Sequence, residues 1–228
     1  SFRCVAFDYP GFGLSTAAPG YGFTAAEHTD VAEKLVSALD LREVIPVVQD
    51  WGGPIGLTAA SRDAGRYRAV ISGNTWAWPM TGAPARAFSG LLGGPIGRAL
   101  IERYNLFADK IVDRGHARRK LSPEEKAHYT NPFPDAASRK PTHVFPREIT
   151  HARALLEEAE VGLSRLNQLP ALIVWGNKDQ AFRKPELRRW ESTFGTRRTH
   201  VLDGAGHYIQ DDAGDEIVAT IKDWWPPA

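Results

Sequence analysis

Hydrophobic positions along the chain fall into two alternating patterns. Leu41 to Val48 is rich in β-branched and apolar residues, as a buried parallel strand would be, and Ile55-Gly56-Leu57-Thr58-Ala59-Ala60 then reads as helix after a very sharp turn. Upstream, Phe2 to Phe7 reads as a core strand, and Thr24-Ala25-Ala26-Glu27 forms a capping box that opens a helix with Val31, Leu35 and Leu39 on one face. Tyr67 to Ser72 is the next strand pattern. From about Pro79 to Gln168 strand signals stop, and helical segments alternate with Pro-rich joints such as Asn131-Pro132-Phe133-Pro134. Strand patterns resume at Ala171 to Gly176 and Arg198 to Leu202, before Ile217, Ile221 and Trp224 mark a closing helix. Such alternation predicts an α/β fold with a mostly parallel sheet. Its core would comprise residues 1–78 and 169–228, interrupted by a helical insertion over 79–168.

Composition narrows the function classes. At 228 residues with 43% hydrophobic content, the chain can bury one sizeable core. A formal net charge of +1, from 28 basic and 27 acidic residues, gives no electrostatic case for nucleic acid or an acidic membrane surface. The densest basic run, Arg114 to Lys120, lies beside Glu124 and Glu125 and fits a solvated helix end. Cys4 is the single cysteine, so an intrachain disulfide and a multi-thiolate metal site are excluded, and a reducing, cytoplasmic compartment fits. No apolar run approaches the roughly 20 residues needed to span a bilayer. Gly11 and Gly13 lack the third glycine of a dinucleotide loop, because Thr16 stands there.

The sharp turn carries the candidate chemistry. In Val47-Val48-Gln49-Asp50-Trp51-Gly52-Gly53-Pro54, a carboxylate stands where a strand runs straight into a helix. Elbows of this kind usually carry serine in a Gly-x-Ser-x-Gly pattern. An aspartate there would attack carbon by displacement and leave an ester on the enzyme. Asp is also a favoured helix N-cap, so Asp50 alone leaves nucleophile and cap equally open. Asp179 follows the strand Ala171 to Trp175, and His207 follows the strand ending near Leu202. Each by itself fits a turn or loop residue. Ligand sites of open α/β sheets gather outside the carboxyl ends of the strands, so all three should converge there. Their chain order, nucleophile, acid, histidine, is that of the α/β-hydrolases.

With these residues in place, the chain resembles a haloalkane dehalogenase of the α/β-hydrolase superfamily. Gln49-Asp50-Trp51-Gly52-Gly53 is similar to that family's nucleophile motif, and Asp8-Tyr9-Pro10-Gly11-Phe12-Gly13-Leu14-Ser15 to its preceding turn. Tyr129-Thr130-Asn131-Pro132-Phe133-Pro134 to Ser138-Arg139, then Phe145-Pro146-Arg147-Glu148-Ile149, are similar to its cap. The resemblance implies an α/β-hydrolase fold whose insertion 79–168 is a cap. It also implies hydrolysis of a halogenated alkane by water, without metal or organic cofactor. Asp50 would displace halide, His207 would activate water against the resulting ester, and Asp179 would orient the imidazole. Trp51 would offer its indole N–H to the halide. The second halide donor differs between branches of the family. The segment 79–168 contains no tryptophan, which favours a loop asparagine upstream of Ser1 unless Trp76 or Trp78 substitutes. Asn74 stands where one branch carries its acid as glutamate, so the resemblance is to the branch with the acid after the seventh strand.

Ser1 in place of an initiator methionine leads us to expect that upstream sequence, including the family's third strand, is missing. Two alternatives accompany the dehalogenase reading. An epoxide hydrolase uses the same Asp/His/Asp triad with cap tyrosines, for which Tyr104 and Tyr129 are the candidates. A truncated chain that is catalytically silent, or acts as a binding module, is the alternative of a different class.

Overall fold

In a computed structural model of the chain, which describes residues 2–225, four parallel strands form a sheet in the order β1-β2-β3-β4. These are β1 (Val47–Asp50), β2 (Val70–Thr75), β3 (Ala171–Gly176) and β4 (Arg197–Leu202). The outermost residues of the expected core ranges, 1 and 226–228, lie outside the described residues. β2 and β3 are buried along their whole length, which in β3 explains the unbroken apolar run Ala171 to Trp175. In β3, Ile173 and Trp175 enter one apolar cluster while Leu172 and Val174 enter the other, the period of two expected of a strand.

Helices cover both faces. α1 (Ala25–Ala38) begins at the expected capping box: Thr24 Oγ1 accepts from the Glu27 N–H, and Glu27 Oε2 accepts from the Thr24 N–H. α2 (Gly52–Arg62) follows β1 after Trp51 alone, and with α1 it covers the first face of the sheet. Between β2 and β3 run α3 (Ala83–Gly93), α4 (Pro95–Tyr104), α5 (Val112–Gly115), α6 (Pro123–Thr130), α7 (Lys140–His151) and α8 (Arg153–Leu166), with one π-helical turn at Phe107–Ile111. α3 and α7 pack on each other, whereas α8 lies along α2 and buries Leu155, Leu156, Ala159, Leu163 and Leu166 in the cluster beneath the sheet. α9 (Lys184–Thr193) adds Trp190 to that cluster, and α10 (Ile209–Trp224), kinked at Ala213, covers the opposite face with Ile209 and Ala213.

The strand expected at Phe2 to Phe7 does not form. The segment forms no regular element and pairs with no ladder, and Phe2, Val5 and Phe7 are exposed. An apolar cavity of about 510 Å³, lined by Phe2, Val5 and Phe7 on one side and Val47, Val48 and Ile71 on the other, separates it from β1. A strand pattern needs a neighbour to supply hydrogen bonds, and the free edge of β1 lies across this groove. Val47 on that edge is 64% exposed. β1 also starts later than the pattern suggests: Val44 makes one isolated bridge to Tyr67, and the ladder begins only after Pro46, which has no N–H to donate. β2 likewise runs to Thr75, which brings Asn74 inside the sheet.

The α2–α8 contact generates a stability prediction. Leu156 is fully buried and Val161 on the same helix is 67% exposed. Leu156→Ala should lower the unfolding free energy by about 2–5 kcal/mol, while Val161→Ala stays within about 0.5 kcal/mol. Urea denaturation followed by circular dichroism measures both; equal effects would contradict the assignment of α8 to the core.

Candidate active site

The carboxyl ends of the strands bring Asp50, Asp179 and His207 together. Asp50 is the last residue of β1 and has φ +47°, a left-handed conformation that a non-glycine residue adopts only under constraint. Two contacts supply it. Thr75 Oγ1 donates to the Asp50 carbonyl at 2.5 Å, and α2 starts so close to β2 that a Cβ on Gly53 would collide with the Thr75 hydroxyl and the Trp76 carbonyl. The N-cap position belongs to Trp51, which makes no side-chain capping bond. The Asp50 carboxyl therefore does not cap the helix. It receives the Trp51 backbone N–H and stays accessible, with 37% of its side chain exposed.

His207 lies opposite. Its Nδ1 is 3.0 Å from Asp179 Oδ2 and its Nε2 is 3.7 Å from Asp50 Oδ1. A carboxylate only accepts, so Nδ1 carries a proton and donates it to Asp179, leaving the Nε2 lone pair facing Asp50 in the neutral ring. Asp179 is buried and fully engaged. Oδ2 also accepts from Asn74 Nδ2 at 2.9 Å, and Oδ1 accepts from the Ala181 N–H at 2.7 Å. Asn74, itself at φ +38°, is anchored by donating to the Gly176 carbonyl and accepting from the Gly176 N–H. Gln49 Nε2 donates to the His207 carbonyl at 3.1 Å and stands 3.4 Å from His207 Nε2.

Protonation follows from this geometry. Burial pushes the Asp50 carboxyl above the usual range, with the His207 and Trp51 contacts opposing. For His207, burial acts downward, but the hydrogen bond to Asp179 and the charges of Asp50 and Asp179 outweigh it and raise the imidazole above 6.5. The net effect is a histidine that holds its proton longer than a free one.

Aromatic rings wall the site. Trp51 meets Trp76 edge-on at 4.7 Å and Phe145 of α7 at 5.3 Å; Trp76 stacks on Phe182, whose ring lies 5.8 Å from His207. Trp76 is buried and its indole N–H has no acceptor, whereas Trp78 packs on Trp190 and under the Arg189 guanidinium. Neither expected tyrosine turns to Asp50. Tyr104 is 61% exposed, and the Tyr129 hydroxyl donates to Asp211 at 2.5 Å. The phenols that feel the Asp50 charge are Tyr9 and Tyr208, both pushed well above their ordinary value by burial first and Asp50 second.

The sequence does not single out Phe182 or Gln49 as members of the site, and marks Asn74 only as standing where one branch of the resembled family carries a glutamate. Asn74 was within reach, since a polar residue in an otherwise buried strand demands a partner. Phe182 carried no signal, because only the turn after Asp179 folds it back onto Trp76. Among the described residues no three His, Cys, Asp or Glu side chains gather to hold a metal ion, and no helix is long and apolar enough to cross a membrane.

A family model described as alpha/beta hydrolase fold matches residues 1–214, and the chain belongs to that family. Within it, the chain groups with the haloalkane dehalogenases. It is 40% identical over 222 residues to Haloalkane dehalogenase 2 of Mycobacterium tuberculosis, covering 96% of this chain and 77% of that protein. It is also 30% identical to a cis-3-alkyl-4-alkyloxetan-2-one decarboxylase of Shewanella oneidensis, over 96% of this chain and 72% of that one. Among solved structures, a putative ancestral haloalkane dehalogenase superposes with a TM-score of 0.85 at 26% identity, covering 95% of this chain and 79% of that chain. Haloalkane dehalogenase DbeA from Bradyrhizobium elkani matches equally well, at 0.85 and 25% identity, covering 95% and 78%.

The elbow depends on the absence of a side chain at Gly53. Gly53→Ala should destabilise the chain by about 1–3 kcal/mol, because the added methyl must displace the Thr75 hydroxyl or the Trp76 backbone. Thermal unfolding compared with Gly65→Ala, where a Cβ meets nothing within 4 Å, provides the measurement. Equal melting temperatures would show that the elbow has room to spare.

Proposed function

We propose that the chain hydrolyses haloalkanes to an alcohol, a halide ion and a proton through an ester on Asp50. The observation that carries this reading is an accessible carboxylate on a left-handed elbow, 3.7 Å from the Nε2 of a histidine held by a buried second carboxylate. In the first step an Asp50 oxygen attacks the halogen-bearing carbon, the carbon–halogen bond breaks, and the halide departs with the electron pair. In the second, His207 Nε2 removes a proton from water while the hydroxide adds to Cγ of Asp50. The Trp51 backbone N–H is aligned to stabilise the oxyanion that forms there. Collapse expels the alkoxide, which takes the proton from His207, and Asp50 returns to its carboxylate by releasing one. Asp179 stabilises the charged imidazole throughout, and Asn74 keeps its carboxylate aimed at Nδ1.

A halide leaving a poorly hydrated site needs donors, since isolated charge in low dielectric is costly. Trp51 supplies one. Between Trp76 and Trp78, the geometry favours Trp76 as a second, because it adjoins Trp51 and its N–H is unclaimed. We read residues 79–152 as the cap over this site, with Phe145 as its contact to Trp51, and α8 as part of the core.

The test is to incubate the protein separately with a brominated alkane, an epoxide and a cis-3-alkyl-4-alkyloxetan-2-one, measuring bromide, diol and carbon dioxide. Bromide release is expected; diol or carbon dioxide in its absence overturns the reading. His207→Ala should form the ester without hydrolysing it, so the peptide bearing Asp50 gains the mass of the alkyl group. An unmodified peptide after exposure to the bromide counts against Asp50 as nucleophile.

The pH dependence has a definite sign. Neutral His207 is the base, and its folded-state pKa is raised, so activity should climb with pH through an inflection above 6.5. Asp179→Asn removes the hydrogen-bonded charge and leaves only the Asp50 charge against burial, which moves the inflection of the residual activity downward. Rate profiles from pH 5 to 9 decide; a parent inflection below 6.5 contradicts the assignment.

A further inference from the structure

His207 is gripped from behind as well as from the sheet. The loop Gly206-His207-Tyr208 lies directly against the backbone of residues 115–117, at the end of α5. The Gly115 carbonyl accepts from the His207 N–H at 2.7 Å, and this approach leaves no room for a Cβ at Gly206, which would strike that carbonyl. The His116 ring stacks on Tyr208 at 4.9 Å, and its Nε2 is 3.0 Å from Asp211 Oδ2. At the centre of the seam is Asp212, a buried carboxylate whose Oδ2 accepts from the Gly206 N–H at 2.7 Å and from the Ala117 N–H at 2.9 Å. Its Oδ1 is buried and has no partner. Burying a carboxylate is costly, and two neutral amides are modest compensation. It stands in the first turn of α10, yet both amides it accepts from, those of Gly206 and Ala117, lie outside that helix.

We propose that Asp212 is a positioning residue: by tying Gly206 to Ala117 it fixes the His207 ring between Asp179 and Asp50 and couples it to the helical segment over the site. This rests on the proposed reading of His207 as the base of ester hydrolysis. His207 takes no part in ester formation, so the two steps respond differently. A loop shift of about 1 Å is enough to slow the step that needs His207 by about a hundredfold. Ester formation at Asp50, held by β1 and Thr75, should change by no more than about threefold.

The experiment uses the whole chain with Asp212→Ala, the conservative Asp212→Asn, and Ala117→Pro, which deletes one of the two donors; the extended backbone of His116 tolerates a following proline. Ester formation and its decay are followed by mass spectrometry of the Asp50 peptide with a brominated alkane. In parallel, ¹⁵N chemical shifts of the His207 imidazole are followed against pH without substrate. Asp212→Ala and Ala117→Pro should accumulate ester and lower the His207 titration midpoint toward 6.5, as the bond to Asp179 loosens. Asp212→Asn, which retains an acceptor oxygen, should recover most of the parent behaviour. Equal slowing of both steps, or an unchanged His207 titration in folded Asp212→Ala or Ala117→Pro, overturns the proposal. If parent and His207→Ala form no ester at all, the reading of the reaction fails instead, and the ¹⁵N titration still decides whether Asp212 positions the ring.

Discussion

The elbow at Asp50 is the constraint around which the rest is arranged. A left-handed residue at the end of a parallel strand turns the chain abruptly enough that α2 starts two residues later, and it lifts the carboxyl clear of both elements. That conformation is sustained by its neighbours: the Thr75 hydroxyl on the Asp50 carbonyl, and Gly53 pressed against β2. The same closeness carries β2 past Asn74, which places an amide between the two strands that present Asp50 and Asp179. The contacts that hold Asp50 left-handed thus also join the ends of β1 and β2.

Electrostatics then distributes roles among similar groups. Asp50 and Asp179 are both carboxylates near one imidazole, yet their surroundings separate them. Asp179 is buried and spends its acceptor capacity on His207, Asn74 and the Ala181 amide, so it is held in one orientation. Asp50 receives one backbone amide and remains accessible. The imidazole links them with its two nitrogens in different states, one donating and one free to accept. Asn74 contributes by being neutral, since a third carboxylate in this space would compete for the same proton.

The helical segment between β2 and β3 touches the site at two separate places. Phe145 of α7 packs on Trp51, and the end of α5 packs on the His207 loop. α7 is in turn attached to α1, where Glu148 accepts from the Ala25 N–H, and Arg139 ties the start of α7 to the Glu102, Phe133 and Pro134 carbonyls. These are directional bonds between segments distant in the chain, and they fix the segment over the strand ends where apolar packing alone would let it slide.

Much of this was legible in the residues. An apolar run bounded by turn residues located β3, the Thr24 and Glu27 pair located the start of α1, and the order Asp50, Asp179, His207 pointed to strand ends of one sheet, because these patterns record local preferences and chain connectivity. What the sequence could not contain was pairing and contact. Phe2 to Phe7 has the composition of a strand and is not one, since a strand exists only where a neighbouring backbone supplies its hydrogen bonds. Asp50 was equally a cap or a free carboxylate until the fold assigned the N-cap to Trp51. The placement of Asn74 on Asp179, of Phe182 over His207, of Trp76 rather than Trp78 beside Trp51, and of Asp212 behind the His207 loop was decided only by tertiary structure, because each depends on distances between segments far apart in the chain.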